Sequence, residues 1–205
     1  MDELTGEEAT FLDEARKAVA SEDPERLSEL VSDFSEYCFK DPTSKSEGSD
    51  FSTGFIDGFM TIIEDPTFLQ MDDSFKLLIL LHNDWARIDP RFHATLFEGL
   101  ERIYPALADN TSHLIIAELF GEYLANADGL HGLERLKAVT NEVARAHVAH
   151  GFKGLASDAA PEAVRNAAAT RLNEMARDPA EPVRAEALAA IASLKSRPPK
   201  SARPK

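Results

Sequence analysis

Apolar residues recur every three or four positions along most of this chain, the spacing of amphipathic helices. Over 24–39, Leu27, Leu30, Val31, Phe34 and Cys38 form one stripe, with Glu25, Glu29, Asp33 and Glu36 opposite. Over 51–63, Phe51, Phe55, Phe59 and Ile62 line up. Gly54 and Gly58 cost that helix about 1 kcal/mol each relative to Ala, a loss that close helix packing repays. The segment 73–86 is apolar nearly all round (Phe75, Leu77, Leu78, Ile79, Leu80, Leu81, Trp85), which predicts a central helix. Further helices are predicted over 5–20, 90–103, 111–125, 130–150, 161–176 and 180–194, about nine in all. Thr5 with Glu8 three residues on is a capping-box pattern for the first. Gly151 and Gly154 are expected to break the seventh, and Thr43 to Ser49 reads as a loop. Asp-Pro pairs punctuate the chain, since Asp accepts from free amides and Pro fits the first helical position. Those at 23, 89 and 178 are expected to open helices, and those at 41 and 65 to close them. No hairpin dipeptide joins alternating apolar runs, so the expected class is all-α.

Two C-terminal segments repeat one another. Asp158, Pro161, Val164, Arg165, Ala168 and Leu172 are matched by Asp178, Pro182, Val183, Arg184, Ala187 and Ile191. The pattern resembles the second helix of HEAT-type repeats. That resemblance implies that Val lies in the core and that Arg165 and Arg184 bond turn aspartates such as Asp158 and Asp178. The two arginines stand nineteen residues apart, whereas a two-helix repeat is about twice that length. The eighth helix then serves two successive units, or the array is irregular. The expected architecture is an irregular α–α stack with HEAT-like C-terminal repeats.

Charge divides the chain differently. Residues 1–75 hold 20 Asp/Glu against 5 Lys/Arg, residues 76–194 hold 16 against 12, and residues 195–205 carry five cations and no acid. The expected organisation is an acidic helical part (1–75), a helical core with the repeats (76–194) and a disordered basic tail (195–205). The apolar run Leu77 to Leu81 is too short to span a bilayer, and the acidic start is no signal peptide. One cysteine, Cys38, suits a reducing compartment, so the expected location is cytoplasmic.

Catalytic patterns are missing. There is no Gly-x-Ser-x-Gly elbow and no phosphate-binding glycine loop after a strand. His147 and His150 lack a well-spaced third ligand, so no metal and no cofactor is expected. His82-Asn83-Asp84-Trp85 reads as an ordinary helix terminus. A field this acidic repels nucleic acid and membrane surfaces and attracts basic proteins. Glu7, Glu8, Asp13 and Glu14, with Glu25, Glu29, Asp33 and Glu36, are expected on solvent faces where they steer in a basic partner. Small, acidic chains without catalytic motifs are similar in type to bacterial immunity proteins. The expectation is a non-enzymatic protein-binding module, foremost an inhibitor that neutralises a basic toxin or effector by occlusion. The alternative is a helical-repeat adaptor or scaffold binding a peptide or protein.

Overall fold

The computed structural model describes residues 4–39, 51–157 and 159–196, with the side chains of 37–39 left out. Expectations for Cys38, for Asp158, for the loop at 43–49 and the Asp41-Pro42 pair, and for the tail beyond 196 fall outside those residues. Among the described residues the fold is all-α, with eleven α-helices and no strand. None of these helices is long and apolar enough to cross a membrane. The chain forms two compact units, Met1–Ile116 and Ala117–Lys205.

The first unit holds α1 (Gly6–Ala20), α2 (Pro24–Phe39), α3 (Thr53–Ile63), α4 (Pro66–Gln70), α5 (Phe75–Asn83), α6 (His93–Ile103) and the start of α7 (Asn110–Tyr123). Its core is a column of phenylalanines. Phe11 of α1 stacks on Phe34 of α2 at 4.5 Å between ring centres, and Phe34 lies 5.4 Å from Phe55 of α3. Phe51 and Phe59 extend the column on either side of Phe55. The α2 helix packs on α5, and α3 on α6, so residues 1–75 share one unit with 76–116. Gly58 does bring two helices together, since a Cβ there would lie 2.6 Å from the Leu12 side chain of α1.

Three boundaries differ from the sequence reading. Asp65-Pro66 opens a helix, because the Asp65 carboxylate accepts from the Thr67 amide at 2.8 Å and so caps α4. The pattern over 130–150 is two helices, α8 (Ala127–Leu136) and α9 (Glu142–Leu155). The Asn141 side chain starts α9 by accepting from the Val143 and Ala144 amides. Gly151 and Gly154 lie inside α9 rather than ending it.

The second unit continues with α10 (Glu162–Met175) and α11 (Glu181–Ser196). Alternate helices run parallel. Arg171 donates to Glu134 at 2.7 Å and Lys137 reaches Glu174 at 3.9 Å, which sets α10 beside α8 in the same direction. Arg145 with Asp178, and His150 with Glu186, fix α11 alongside α9 in the same way. The α9 helix packs on α8, α10 and α11, and Val148, Phe152 and Leu155 of α9 are buried, as are Leu133, Leu172 and Val183 of its neighbours. On its remaining flank it meets the end of α7 backbone to backbone. A Cβ on Gly121 would lie 2.3 Å from the Gly151 carbonyl oxygen, and one on Gly151 would lie 2.4 Å from that of Ala117.

These contacts make two stability predictions. Gly121→Ala is expected to lose about 2–3 kcal/mol in urea unfolding, because backbone cannot yield to a methyl group. Gly6→Ala, which meets open space, is the control that keeps full stability. The second concerns His113, which is buried and lies 2.9 Å from the Tyr104 carbonyl through Nε2. Burial holds its imidazole below the usual range, so the folded state resists protonation. Stability is therefore intact above the unfolded value of about 6.5 and falls as pH drops through it. His113→Gln keeps a donor and is expected to flatten that slope in unfolding measured from pH 8 to 5.

Candidate functional site

The eight acidic residues expected to form one front occupy three different environments. Glu8 is a correction: it is 6% exposed and faces inward. Its Oε2 accepts from the Thr5 amide at 2.8 Å, closing the capping box with the return bond to Thr5 Oγ1. Its Oε1 accepts from the Ser52 amide at 2.9 Å, tying the start of α1 to the start of α3. The sequence shows the first bond through three-residue spacing, but the second joins positions 44 apart and leaves no local signal.

Four more carboxylates have cationic neighbours. Lys17 binds Asp13 at 2.8 Å and Glu14 at 2.9 Å. Arg26 reaches Glu14 and Glu29, linking α1 to α2. Glu25 pairs with Lys76 of α5 at 2.5 Å. The Lys17 ammonium, followed by Arg26, holds the Glu14 carboxyl below its ordinary value. Glu25 in turn raises Lys76. Such exposed pairs contribute little to stability and open readily when another charge competes. Glu36 is exposed on α2.

Glu7 and Asp33 form the third class. Both are exposed, and neither makes an ion pair with a described residue. They stand on α1 and α2 at a groove of about 310 Å³ whose lining includes Phe11, Leu30 and Phe34. Gly6 and Thr10 complete its α1 wall. The surrounding field is strongly negative, for residues 1–116 hold 25 Asp/Glu against 9 Lys/Arg and residues 117–205 hold 11 against 13. A second cavity of about 280 Å³ lies between α1, α3 and α4, but its Asp65 is already engaged in capping.

In the second unit the repeat arginines turn back on themselves. Arg184 Nη1 donates to the carbonyls of Asp178 and Pro179, and Arg165 Nη1 to that of Ala160. Arg184 thus meets Asp178 through its backbone carbonyl rather than its carboxylate, while the expected Arg165–Asp158 pairing lies outside the described residues. Arg145 makes the same kind of bond, to Val139 and Thr140, and also reaches the Asp178 carboxylate at 3.3 Å. Sequence reading missed Arg145 because its nearest valine, Val143, precedes it by two residues rather than one. In each of the three helices the arginine amide donates to the carbonyl four positions earlier, at Asn141, Pro161 and Ala180, three residues with no common sequence signal.

His150 lies between Glu186, 3.1 Å from Nε2, and Glu118, 3.8 Å from Nδ1. The two carboxylates face opposite nitrogens of one ring, a clamp across three helices rather than a set of ligands around one point. No group of three or more His, Cys, Asp or Glu among the described residues converges to hold a metal ion. Asp84, at the end of α5, is buried and accepts from the Ser35 hydroxyl at 2.7 Å, which ties the end of α5 to α2. No protein family, curated protein or solved structure matches this chain.

The environments separate experimentally. Glu8→Ala is expected to cost about 2 kcal/mol in urea unfolding, because the buried Ser52 amide loses its acceptor. Glu7→Ala, one residue earlier but solvated, is expected to stay within about 0.5 kcal/mol of the parent.

Proposed function

We propose that this chain is a non-enzymatic protein-binding module whose acidic first unit receives a basic protein. The observation that carries the reading is the α1–α2 groove, where Glu7 and Asp33 flank an apolar lining without a described cation to neutralise either. Asp13, Glu14, Glu25 and Glu29 surround it with weak pairs that an incoming Lys or Arg can displace. A negative field of this size accelerates encounter with a positive surface, and an apolar contact slows departure. The specific form of the reading is an immunity protein or inhibitor, cytoplasmic, that covers the active site of a basic toxin or effector.

A second reading, a helical-repeat adaptor, is favoured by the second unit. We read α8–α9 and α10–α11 as two HEAT-like repeats. Their support is the parallel alignment of alternate helices, the thirty-nine residues between Arg145 and Arg184, and the Arg145–Asp178 link from one pair to the next. This period matches a two-helix unit and replaces the nineteen-residue spacing as the repeat length. In the adaptor reading the layer of α9 and α11 holds the partner and the acidic unit contributes solubility.

The readings diverge in one experiment. Partners co-purified from a lysate of the source cells are identified by mass spectrometry, and their affinity is measured across a salt series. For a basic partner docking on the first unit, affinity falls with salt, and joint Glu7→Lys and Asp33→Lys substitution weakens it about tenfold further, or 1.4 kcal/mol. A salt-indifferent partner unaffected by both reversals would select the adaptor reading.

A further inference from the structure

We propose that the α1–α2 groove seats one large apolar side chain, aromatic or leucyl, on a partner segment that carries Lys or Arg on both sides of it. The inference rests on the acidic-docking reading and deepens it by naming what enters the groove. Phe11 comes from one helix and Phe34 from the other, and Leu30 lies one turn before Phe34. An ammonium group placed among these side chains would lose water without gaining a hydrogen-bond partner, which disfavours a bare cation as the occupant. The carboxylates belong to both walls, Glu7 to α1 and Asp33 to α2, so charge is available on either side of an apolar plug. An apolar anchor enclosed by charged contacts at the edge is the arrangement in which binding energy concentrates. An acidic or phosphate-bearing ligand meets like charge at both walls, and a neutral apolar ligand leaves both carboxylates unused.

The test uses the full chain and three synthetic peptides. One is Lys-Lys-Gly-Phe-Gly-Lys-Lys; the others replace its Phe by Ala or its lysines by glutamates. Amide shifts in nitrogen–proton NMR spectra report position and affinity. The Phe peptide is expected to shift Gly6, Thr10, Leu30 and Phe34, and the Ala peptide to bind about tenfold more weakly. The glutamate peptide is expected to leave the spectrum unchanged. Gly6→Leu fills the groove from a position where an added Cβ meets open space and the backbone is of ordinary conformation, so the fold is kept. That variant is expected to erase the difference between Phe and Ala. Equal, salt-sensitive binding of the Phe and Ala peptides would overturn the apolar seat while leaving acidic docking in place. Salt-indifferent binding, or no shift in α1 and α2 at millimolar peptide, would overturn both.

Discussion

The stacked contact between Phe11 and Phe34 sets both the packing of the first unit and the form of its groove. Two helices with acidic outer faces gain little electrostatically from one exposed Arg26–Glu14 pair, so burial must hold them together. The rings supply that burial at 4.5 Å and pass it inward to Phe55, which is fully enclosed. They also line the cavity between the helices. A smaller pair of side chains would let α1 and α2 approach until the groove closed. Core and candidate site are therefore one feature, and a substitution in the floor cannot be interpreted as a binding effect alone.

The acidic surplus is held in place by a hierarchy of interactions. Glu8 sits deepest and accepts two hydrogen bonds with one carboxylate, fixing where α1 begins relative to α3. Asp13, Glu14, Glu25 and Glu29 come next, sharing three cations between α1, α2 and α5. Arg26 matters most here because it bridges two helices that would otherwise repel. Glu7 and Asp33 come last and remain with water. Burial sets Glu8 apart from the rest, and cationic neighbours set Asp13, Glu14, Glu25 and Glu29 apart from Glu7 and Asp33.

Much of the fold was legible because helix signals are local. The phenylalanines at 51, 55 and 59, the Thr5–Glu8 box and the apolar 73–86 segment all depend on residues within one or two turns. The errors came where a local signal had two readings. Asn141 is polar within an apolar period and looked like an exposed helical position, whereas its side chain starts a new helix. Gly151 and Gly154 looked like breakers, yet their missing side chains admit the backbone of α7. Asp65-Pro66 fitted an end as well as a beginning. The candidate site was half legible, since its carboxylates show in the composition. Which of them face a groove depends on the pairing of α1 with α2 and on a bond from Glu8 to an amide forty-four residues away.

The second unit shows why repetition in sequence and repetition in structure need not share a period. Every helix that follows a tight turn here meets the same problem, carbonyls left without donors, and three arginines solve it in the same way. That solution recurs with each helix, so a search for similar strings returns spacings near twenty. Packing recurs only with every second helix, because α9 must lie against α11 and α8 against α10 before their apolar faces are covered. The Arg145–Asp178 pair belongs to this longer period, as does Arg171–Glu134, for both cross from one helix pair to the next. A lone turn-capping arginine therefore says only that a helix begins. In the repeat reading proposed above, an arginine that also reaches a carboxylate two helices on marks a stacking unit, and thirty-nine rather than nineteen is the length to seek in related chains.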